Sequence, residues 1–282
     1  MRLDSWIAKN HSDITRSQAK KLIINGNVLV NKKICDKASY LINTHDKITI
    51  KNKQLPPQKI TPENIPLDIV YEDKYIAAIN KPAGLVVHPA AGNRTGTLVN
   101  ALMYHFKKLS NKYSKERLGI IHRLDKDTSG IVLIAKTNQA HAEMSKLFKE
   151  RKVKKTYYAL VKGNVKNDEG TIDKPIGRDP RNRKKMKAIT NTKYKSRTAI
   201  TNYKVVKRYN SATLLKINPI TGRTHQIRVH LAYIGHPIIG DLIYNPKTSN
   251  KGLHLHAKSI SFTHPILKKR VNITVPNQEW YK

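Results

Sequence analysis

An α+β protein with a mixed sheet is what this sequence predicts, preceded by a smaller unit of helices and short strands. Three observations carry the prediction. Apolar runs of strand length recur from residue 67 onward. Only a few segments of helical period stand between them, which is the pattern of a sheet with helices packed on it. A proline-rich stretch, residues 51–66, separates this region from the first fifty residues. A chain of 282 residues has room for one mid-sized domain and one small one.

The elements follow in chain order. Leu3, Trp6 and Ile7 share one face of a first helix. Ser12 or Asp13 breaks it, and Thr15 is placed to cap a second helix, SQAKKLII, which stops at Asn25-Gly26. NVLVNKK and DKITI then read as two short strands around a turn-rich middle. Residues 51–66, KNKQLPPQKITPENIP, hold four prolines among polar residues, a linker composition. Beyond the linker IAAIN, GLVVH, GIVLIAKT, TYYALVKG, TNYKVVKRY, ATLLKINP and HQIRVHLAYI read as strands. GTLVNALMYHFKKL and NQAHAEMSKLFKERK read as helices, the latter capped at Thr137-Asn138. The domains are therefore 1–50, a linker over 51–66, and 67–282.

The charge narrows the partner. Lys and Arg number 54 against 19 Asp and Glu, a net charge of +35 spread along the whole chain. Such an excess repels itself in a compact fold and favours a polyanion, so nucleic acid is the expected partner. No long basic amphipathic helix points to a membrane surface, and no run of about twenty apolar residues could span one. Cys35 is the single cysteine, so no disulfide framework forms within the chain, which fits a reducing compartment. The N-terminal MRLDSWIAKNHSD has no apolar signal core. A cytoplasmic protein, monomeric and without membrane contact, is expected.

Two polar clusters can carry chemistry. The first is HRLDKDTSG, residues 122–130, packed against the apolar run IVLIAKT. Loops at strand ends often hold active sites, and a carboxylate flanked by Arg123 and Lys126 is favoured in its charged form. The same residues also fit a plain turn in which Asp127 and Ser129 cap backbone amides. The second cluster is GRTHQIRVHLAYIGHPIIGD, residues 222–241. Read as a strand, it points His225, Ile227 and Val229 one way and Gln226, Arg228 and His230 the other. That alternation sets Arg228 on a polar face where a carboxylate can meet it. VKKTYYALVKG adds Tyr157 and Tyr158 on opposite faces of a strand, and an aromatic ring beside basic residues suits a base stacked out of its helix.

Taken in order, NKPAGLVVHP, HRLDKDTSGIVLIAKT, KKTYYALVKG, GRTHQIRVHLAYIGHPIIGD and HAKSISFTHP resemble successive motifs of the ribosomal large-subunit pseudouridine synthases. The resemblance covers nearly all of residues 67–265 and implies a mainly antiparallel catalytic sheet of the pseudouridine synthase type. HPAAGNRTGTLVNAL leans towards the D subtype, which modifies the helix 69 stem-loop of 23S rRNA; the C subtype shares the domain plan. The resemblance implies that Asp125 is the essential aspartate and that Arg123 helps displace the target base. It implies that Tyr157 stacks on the flipped uracil, that Arg228 partners the aspartate and that Ile227 lines the pocket. The first fifty residues resemble the small RNA-binding domain of the S-four type, which implies phosphate contacts at Arg16, Lys20 and Lys21. Lys32 stands where that domain usually has glycine, which puts the tightness of the turn in question. The implied partner is large-subunit ribosomal RNA or its precursor particle.

The implied reaction detaches uracil at nitrogen 1 and rejoins it through carbon 5, with no redox change, so no cofactor and no metal are expected. Three other classes stand beside this reading. A metal-dependent hydrolase would use His225 and His230, or His254 and His256, although their spacings are not those of known zinc motifs. A glycoside hydrolase would pair Asp125 with Asp127. A purely binding rRNA assembly protein would need only the charge and the N-terminal unit.

Overall fold

The computed structural model describes residues 1–11, 14–51, 60–89, 93–113, 118–182, 185–191, 193–246 and 252–281. The chain divides into two compact units, Met1–Lys59 and Ile60–Lys282. The expected helix break at Ser12 or Asp13, and residues 52–59 of the expected linker, lie outside the described residues. Among the described residues no helix is long and apolar enough to cross a membrane.

The first unit carries helices α1 (Leu3–Asn10) and α2 (Arg16–Ile24) and strands β1 (Val28–Val30), β2 (Lys33–Ile34) and β3 (Ile48–Ile50). The strands form one antiparallel sheet in the order β2-β1-β3. Leu3 and Ile7 of α1 and Ala19, Leu22 and Ile23 of α2 pack on Val28 and Val30. Helix α2 starts where its sequence says it should: the Thr15 side chain accepts from the Gln18 amide, and the Gln18 side chain accepts from the Thr15 amide. It ends at Asn25, and Gly26 supplies the positive φ of 70° that lets the chain turn away.

The turn in question around Lys32 is tight after all. Val30 pairs with Lys33, leaving a two-residue loop in which Asn31 and Lys32 both have positive φ, 52° and 67°. That is the conformation of the favoured two-residue hairpin turns. The Asn31 side chain holds it from outside, donating to Asp46 at 2.7 Å and accepting from the Lys47 amide at 2.8 Å. Strand β2, which the sequence reading missed, exists because this turn folds the chain back.

The second unit is built on one large sheet. Its strands are β4 (Ile69–Glu72), β5 (Ile76–Lys81), β6 (Ser129–Ala135), β7 (Lys154–Lys162), β8 (Glu169–Asp173), β12 (Ile200–Arg208), β13 (Ala212–Pro219), β14 (Leu255–Thr263) and β15 (Arg270–Thr274). Their order is β4-β5-β6-β14-β7-β13-β12-β8, with β15 beside β14. Three shorter strands, β9 (Ile176–Arg178), β10 (Met186–Ala188) and β11 (Ser196–Arg197), form a separate antiparallel sheet. The helices are α3 (Leu98–His105), α4 (Asn138–Lys149) and α5 (Gln226–Tyr233). Mixed strands with few helices make this the α+β architecture expected.

The large sheet is buried on both faces, and the strand period of two decides which side chain goes where. Ala77, Ile79, Val132, Ile134, Tyr157, Ala159 and Ile217 face one core with Leu98 and Leu102 of α3 and Ile227 and Leu231 of α5. Ile76, Ala78, Ile131, Leu133, Ile260 and Phe262 face another with Ala140 and Met144 of α4. Thr137 caps α4, its side chain accepting from the Ala140 amide. Residues 60–66 belong with this unit: Asn100 donates to the Thr61 carbonyl and His105 meets the Ile65 carbonyl at 2.8 Å.

Two expected strands are absent. GLVVH contributes only an isolated bridge from Val86 to Thr97. HQIRVHLAYI is helix α5, not a strand, so the alternation read for residues 225–230 is wrong. The reason lies in burial. Six consecutive residues, Gln226 to Leu231, are buried, so the helix has no polar face to reveal its period. Its β-branched residues made it look extended.

Strand β6 pairs with β14 in parallel, the one parallel strand pair among the described residues, at Ser129↔His256 and Gly130↔Ala257. Gly130 has φ 108°, and a Cβ there would intrude into the Ala257 backbone. The chain entering β6 therefore passes closer to β14 than any other residue type allows. Gly130→Ala is expected to destabilise the second unit by about 2–3 kcal/mol and to lower its thermal midpoint by roughly 5–10 °C. Calorimetry of the purified variant checks this; an unchanged midpoint would mean that the junction is looser than described.

Candidate active site

A cavity of about 550 Å³ opens on the second unit, lined by Arg123, Asp125, Lys155, Tyr157, His225, Ile227 and Arg228 among others. The pieces come from the loop before β6, strand β7, helix α5 and the segment 219–225 that leads into it, with the end of α4, Arg151 and Leu255 of β14 completing the wall.

The loop before β6 is held from below. Lys81, at the end of β5, is fully buried, and its ammonium donates to the carbonyls of Pro82 (2.7 Å), Leu85 (3.0 Å) and Lys126 (2.9 Å). Burial pushes this lysine down to about 8, with the charges of Asp127 and Asp125 opposing the fall. The Lys126 carbonyl also accepts from the Gly84 amide, and Thr128 donates back to the Asp125 carbonyl. Asp125 therefore sits in a short tied turn. His122, at the start of the loop, accepts the Leu133 amide at 3.0 Å, and burial with the Lys155 charge pushes it down to about 3.

Arg228 reaches Asp125 from α5, its Nη1 donating to Oδ2 at 3.2 Å. The expected meeting of Arg228 with a carboxylate is thus present, though a helix and not a strand delivers it. A second carboxylate stands behind. Asp241 takes Arg228 Nε at 2.7 Å and Nη2 at 2.8 Å, a bidentate pair with both side chains buried. Asp241 also accepts the amides of Ile243 and Tyr244. Burial works against the Arg228 charge, but the Asp241 hydrogen bonds and the two carboxylate charges outweigh it and raise its value. The Tyr244 ring lies 5.3 Å from the guanidinium carbon.

Tyr157 lies on β7 between Ile217 and Ala257, with its ring in the core that floors the cavity. Burial first, and the Asp125 charge second, push its phenol up, so it is held as a neutral donor. Tyr158 points to the other face and stacks on Tyr281, centroids 5.0 Å apart and planes 10° apart, as the alternation required. Ile227 is buried in the cavity wall, and Arg123 is exposed at its rim. Lys155 lines the cavity and burial pushes it down to about 8.

In the first unit Lys20 and Lys21 are exposed on α2, while Arg16 is engaged, its Nε donating to Asp4 at 3.0 Å beside Arg2 at 3.1 Å. Burial works against the Asp4 charge, but these hydrogen bonds and charges hold it at about 2. Arg16 therefore ties α2 to α1 as well as facing outward.

Sequence reasoning missed Asp241, Tyr244 and Lys81, although Asp241 and Lys81 lay inside the quoted motifs. It named His225 for its face of the 225–230 segment and as a metal ligand of a rival reading, without a link to Asp125. Among the described residues no group of three or more His, Cys, Asp or Glu is arranged to hold a metal ion. His230 is instead buried between Thr201 and the Lys174 carbonyl, and His254 stacks on Trp280. Asp127 is exposed and lies outside the cavity wall, so it makes no carboxylate pair with Asp125 there.

Among the described residues the cavity wall presents one carboxylate, one anchored guanidinium and one buried phenol, with further cations around them and no second carboxylate facing the space. The chain is similar to known proteins of one family. The model of the RNA pseudouridylate synthase family matches residues 75–233, and that of the S4 domain matches residues 1–48. An RNA pseudouridine synthase of Aquifex aeolicus is 47% identical over 251 residues, 88% of this chain and 78% of its own. The ribosomal large subunit pseudouridine synthase D of Buchnera aphidicola is 41% identical, over 98% of this chain and 90% of its own. Human RNA pseudouridylate synthase domain containing 1 superposes with a TM-score of 0.62 at 26% identity, covering 79% of this chain and 86% of that one. The chain belongs to the RNA pseudouridylate synthase family. It is an RNA pseudouridine synthase with an S4 domain at its start, and its likeness to the D-type enzymes runs almost end to end.

The Arg228–Asp241 pair sets an acid limit on the fold. Burial works to raise the Asp241 carboxyl, but the Arg228 hydrogen bonds and charge outweigh it and hold it below its ordinary value. A depressed carboxyl contributes stability that is full above the unfolded value, about 3.9, and is lost as the pH falls through the folded one. Asp241→Ala, which leaves the buried Arg228 guanidinium with Asp125 alone, is expected to cost about 3 kcal/mol. In Asp241→Asn the thermal midpoint should start lower and decline less between about pH 5 and pH 2 than in the wild type. Parallel acid limbs in the two proteins would remove Asp241 from this role.

Proposed function

We propose that this protein isomerises uridines of large-subunit ribosomal RNA, in the helix 69 stem-loop, with Asp125 as the reacting carboxylate. The observation that carries the reading is the Asp125–Arg228 pair at 3.2 Å, set in one cavity with Tyr157. The choice of RNA rests on the D-type relatives, whose name specifies the ribosomal large subunit.

The chemistry follows from what each group can do. The reaction breaks the bond from ribose carbon 1 to uracil nitrogen 1 and makes one from the same carbon to carbon 5. Carbon 5 then loses its proton, and nitrogen 1 ends with one. A base cannot turn inside a stacked helix, so it must leave the stack, at a few kcal/mol. Stacking on Tyr157 offsets this, and Arg123 at the rim is placed to occupy the vacated space. Asp125 serves any of three first steps: attack on ribose carbon 1, attack on uracil carbon 6, or removal of the proton on ribose carbon 2. All three use the paired, charged carboxylate. Tyr157, held protonated, serves as a donor first. The cavity's cations, Arg123, Lys149, Arg151, Lys155 and Arg223, meet the phosphates around the flipped nucleotide.

Asp125→Asn is expected to abolish pseudouridine formation in an rRNA stem-loop while leaving its affinity within a few-fold. Carbodiimide-dependent reverse-transcription stops and a filter-binding titration measure the two, and wild-type turnover by this variant would sink the proposal. Replacing Lys20 and Lys21 together by alanine should weaken binding of the rRNA fragment and flatten the plot of log Kd against log salt by about 1.5. The rate at saturating RNA should stay as it was. An unchanged salt slope would place the phosphate contacts elsewhere.

A further inference from the structure

Asp125 has two carboxylate oxygens, and Arg228 takes only one of them. The other, Oδ1, faces Nε2 of His225 at 4.0 Å. His225 is the residue just before α5, and its backbone is left-handed, φ 55° and ψ 20°. Few non-glycine residues adopt that conformation, and where they do at a site the strain needs a reason. Here it turns the imidazole into the cavity beside Asp125.

The far side of the ring is fixed as well. His225 Nδ1 lies 3.0 Å from the Tyr244 hydroxyl, and the two rings meet edge to face. The Tyr244 oxygen already accepts the Met186 amide at 3.0 Å. An amide only donates, so the Tyr244 proton must go elsewhere, and among the described residues Nδ1 of His225 is its acceptor. A ring that accepts at Nδ1 is neutral and carries its proton on Nε2, the nitrogen that faces Asp125. Burial, against the pull of Asp125, also lowers the His225 value and keeps the ring uncharged.

We propose that His225 is a positioning residue for Asp125: with its tautomer set by Tyr244, it presents an uncharged Nε2–H donor to the carboxylate oxygen that Arg228 leaves free. The two oxygens are then addressed by two different donors. Arg228 holds one by charge and is itself anchored on Asp241. His225 steers the other without adding positive charge, so that oxygen can be released to substrate while the ion pair stays in place. At 4.0 Å the two atoms face one another without a hydrogen bond, so the role requires them to approach by about 1 Å when substrate is bound, as catalytic contacts often tighten in the complex. The inference rests on Asp125 as the reacting carboxylate.

Two measurements test it. Nitrogen-15 NMR of the wild-type protein, labelled at histidine, should show His225 as the neutral Nε2–H tautomer, and Tyr244→Phe should shift it towards the Nδ1–H form. A wild-type ring protonated at Nδ1 would overturn the proposal whatever any variant does. In single turnover at saturating RNA, His225→Asn keeps a residue at ease in the left-handed backbone but places no donor at the Nε2 position. It should lose about 100-fold in rate with unchanged Kd for the stem-loop. His225→Gln, whose amide reaches the Nε2 position, should recover most of that loss. Wild-type rate in the Asn variant, or a Gln variant as slow as Asn, would overturn it. If Asp125→Asn is inactive while His225→Asn is fully active, the positioning role fails and the role of Asp125 stands.

Discussion

Arg228 is shared between two carboxylates, and most of the site's geometry can be traced to how it is shared. Asp241 holds the guanidinium with two short hydrogen bonds on a fully buried side chain, leaving one N–H edge for Asp125. The pair behind is what makes the pair in front usable. A lone arginine on a mobile side chain would neutralise Asp125 in many geometries; one anchored from behind offers a single direction. This is a costly arrangement, because three charges are withdrawn from water. It is offset in part by the amides of Ile243 and Tyr244, which both donate to Oδ1 of Asp241.

The sheet then brings the other half of the site to meet that edge. Asp125 precedes β6, and β6 runs parallel to β14 where Gly130 lets the two backbones approach. On the far side of β14 runs β7, whose alternation gives Tyr157 to the cavity and Tyr158 to the opposite face. Three adjacent strands thus fix the carboxylate and the aromatic ring relative to one another. Lys81 adds a strap from the next strand over, tying three carbonyls around the loop with one ammonium. The loop that carries Asp125 is in this way as constrained as the strands it joins.

Much of this was legible in the sequence, and the gaps have physical causes. Thr15 and Gly26 announce α2 because caps and positive-φ turns are local events written in a few adjacent residues. Strands β5, β6, β7, β12 and β13 were legible because apolar runs between turn residues need no partner to be recognised. Helix α5 was not, since burial on every side erases the amphipathic period. Asp125, Tyr157 and Arg228 were named through motif order, and the geometry joins Asp125 to Arg228 in one ion pair. Asp241 stayed hidden for a different reason. Nothing local distinguishes an aspartate that caps a turn from one that reaches thirteen residues back to a buried arginine. Lys81 hid similarly, because a lysine's default place is solvent, and only three converging carbonyls explain its burial. Lys32 shows the reverse: a missing glycine looked like a departure, but the neighbouring Asn31 side chain carries the turn.

The net charge of +35 and the chemistry at the centre pull in opposite directions. Long-range attraction gathers a polyanion over the whole surface without selecting a nucleotide. Deeper in the cavity the local balance is different: the Arg228 charge is already met by Asp241 behind the wall, Asp125 is the carboxylate that faces the space, and burial keeps Tyr157 and His225 uncharged. On the proposed reading a phosphate would be favoured at the rim, where the exposed Arg123 and Arg151 stand, and disfavoured beside Asp125. That gradient would sort the parts of one nucleotide, its charged backbone held outside while its neutral base and sugar approach the carboxylate. The lysine-rich exterior attracts any polyanion, so selectivity for what enters would then rest on this change of charge over the depth of a single cavity.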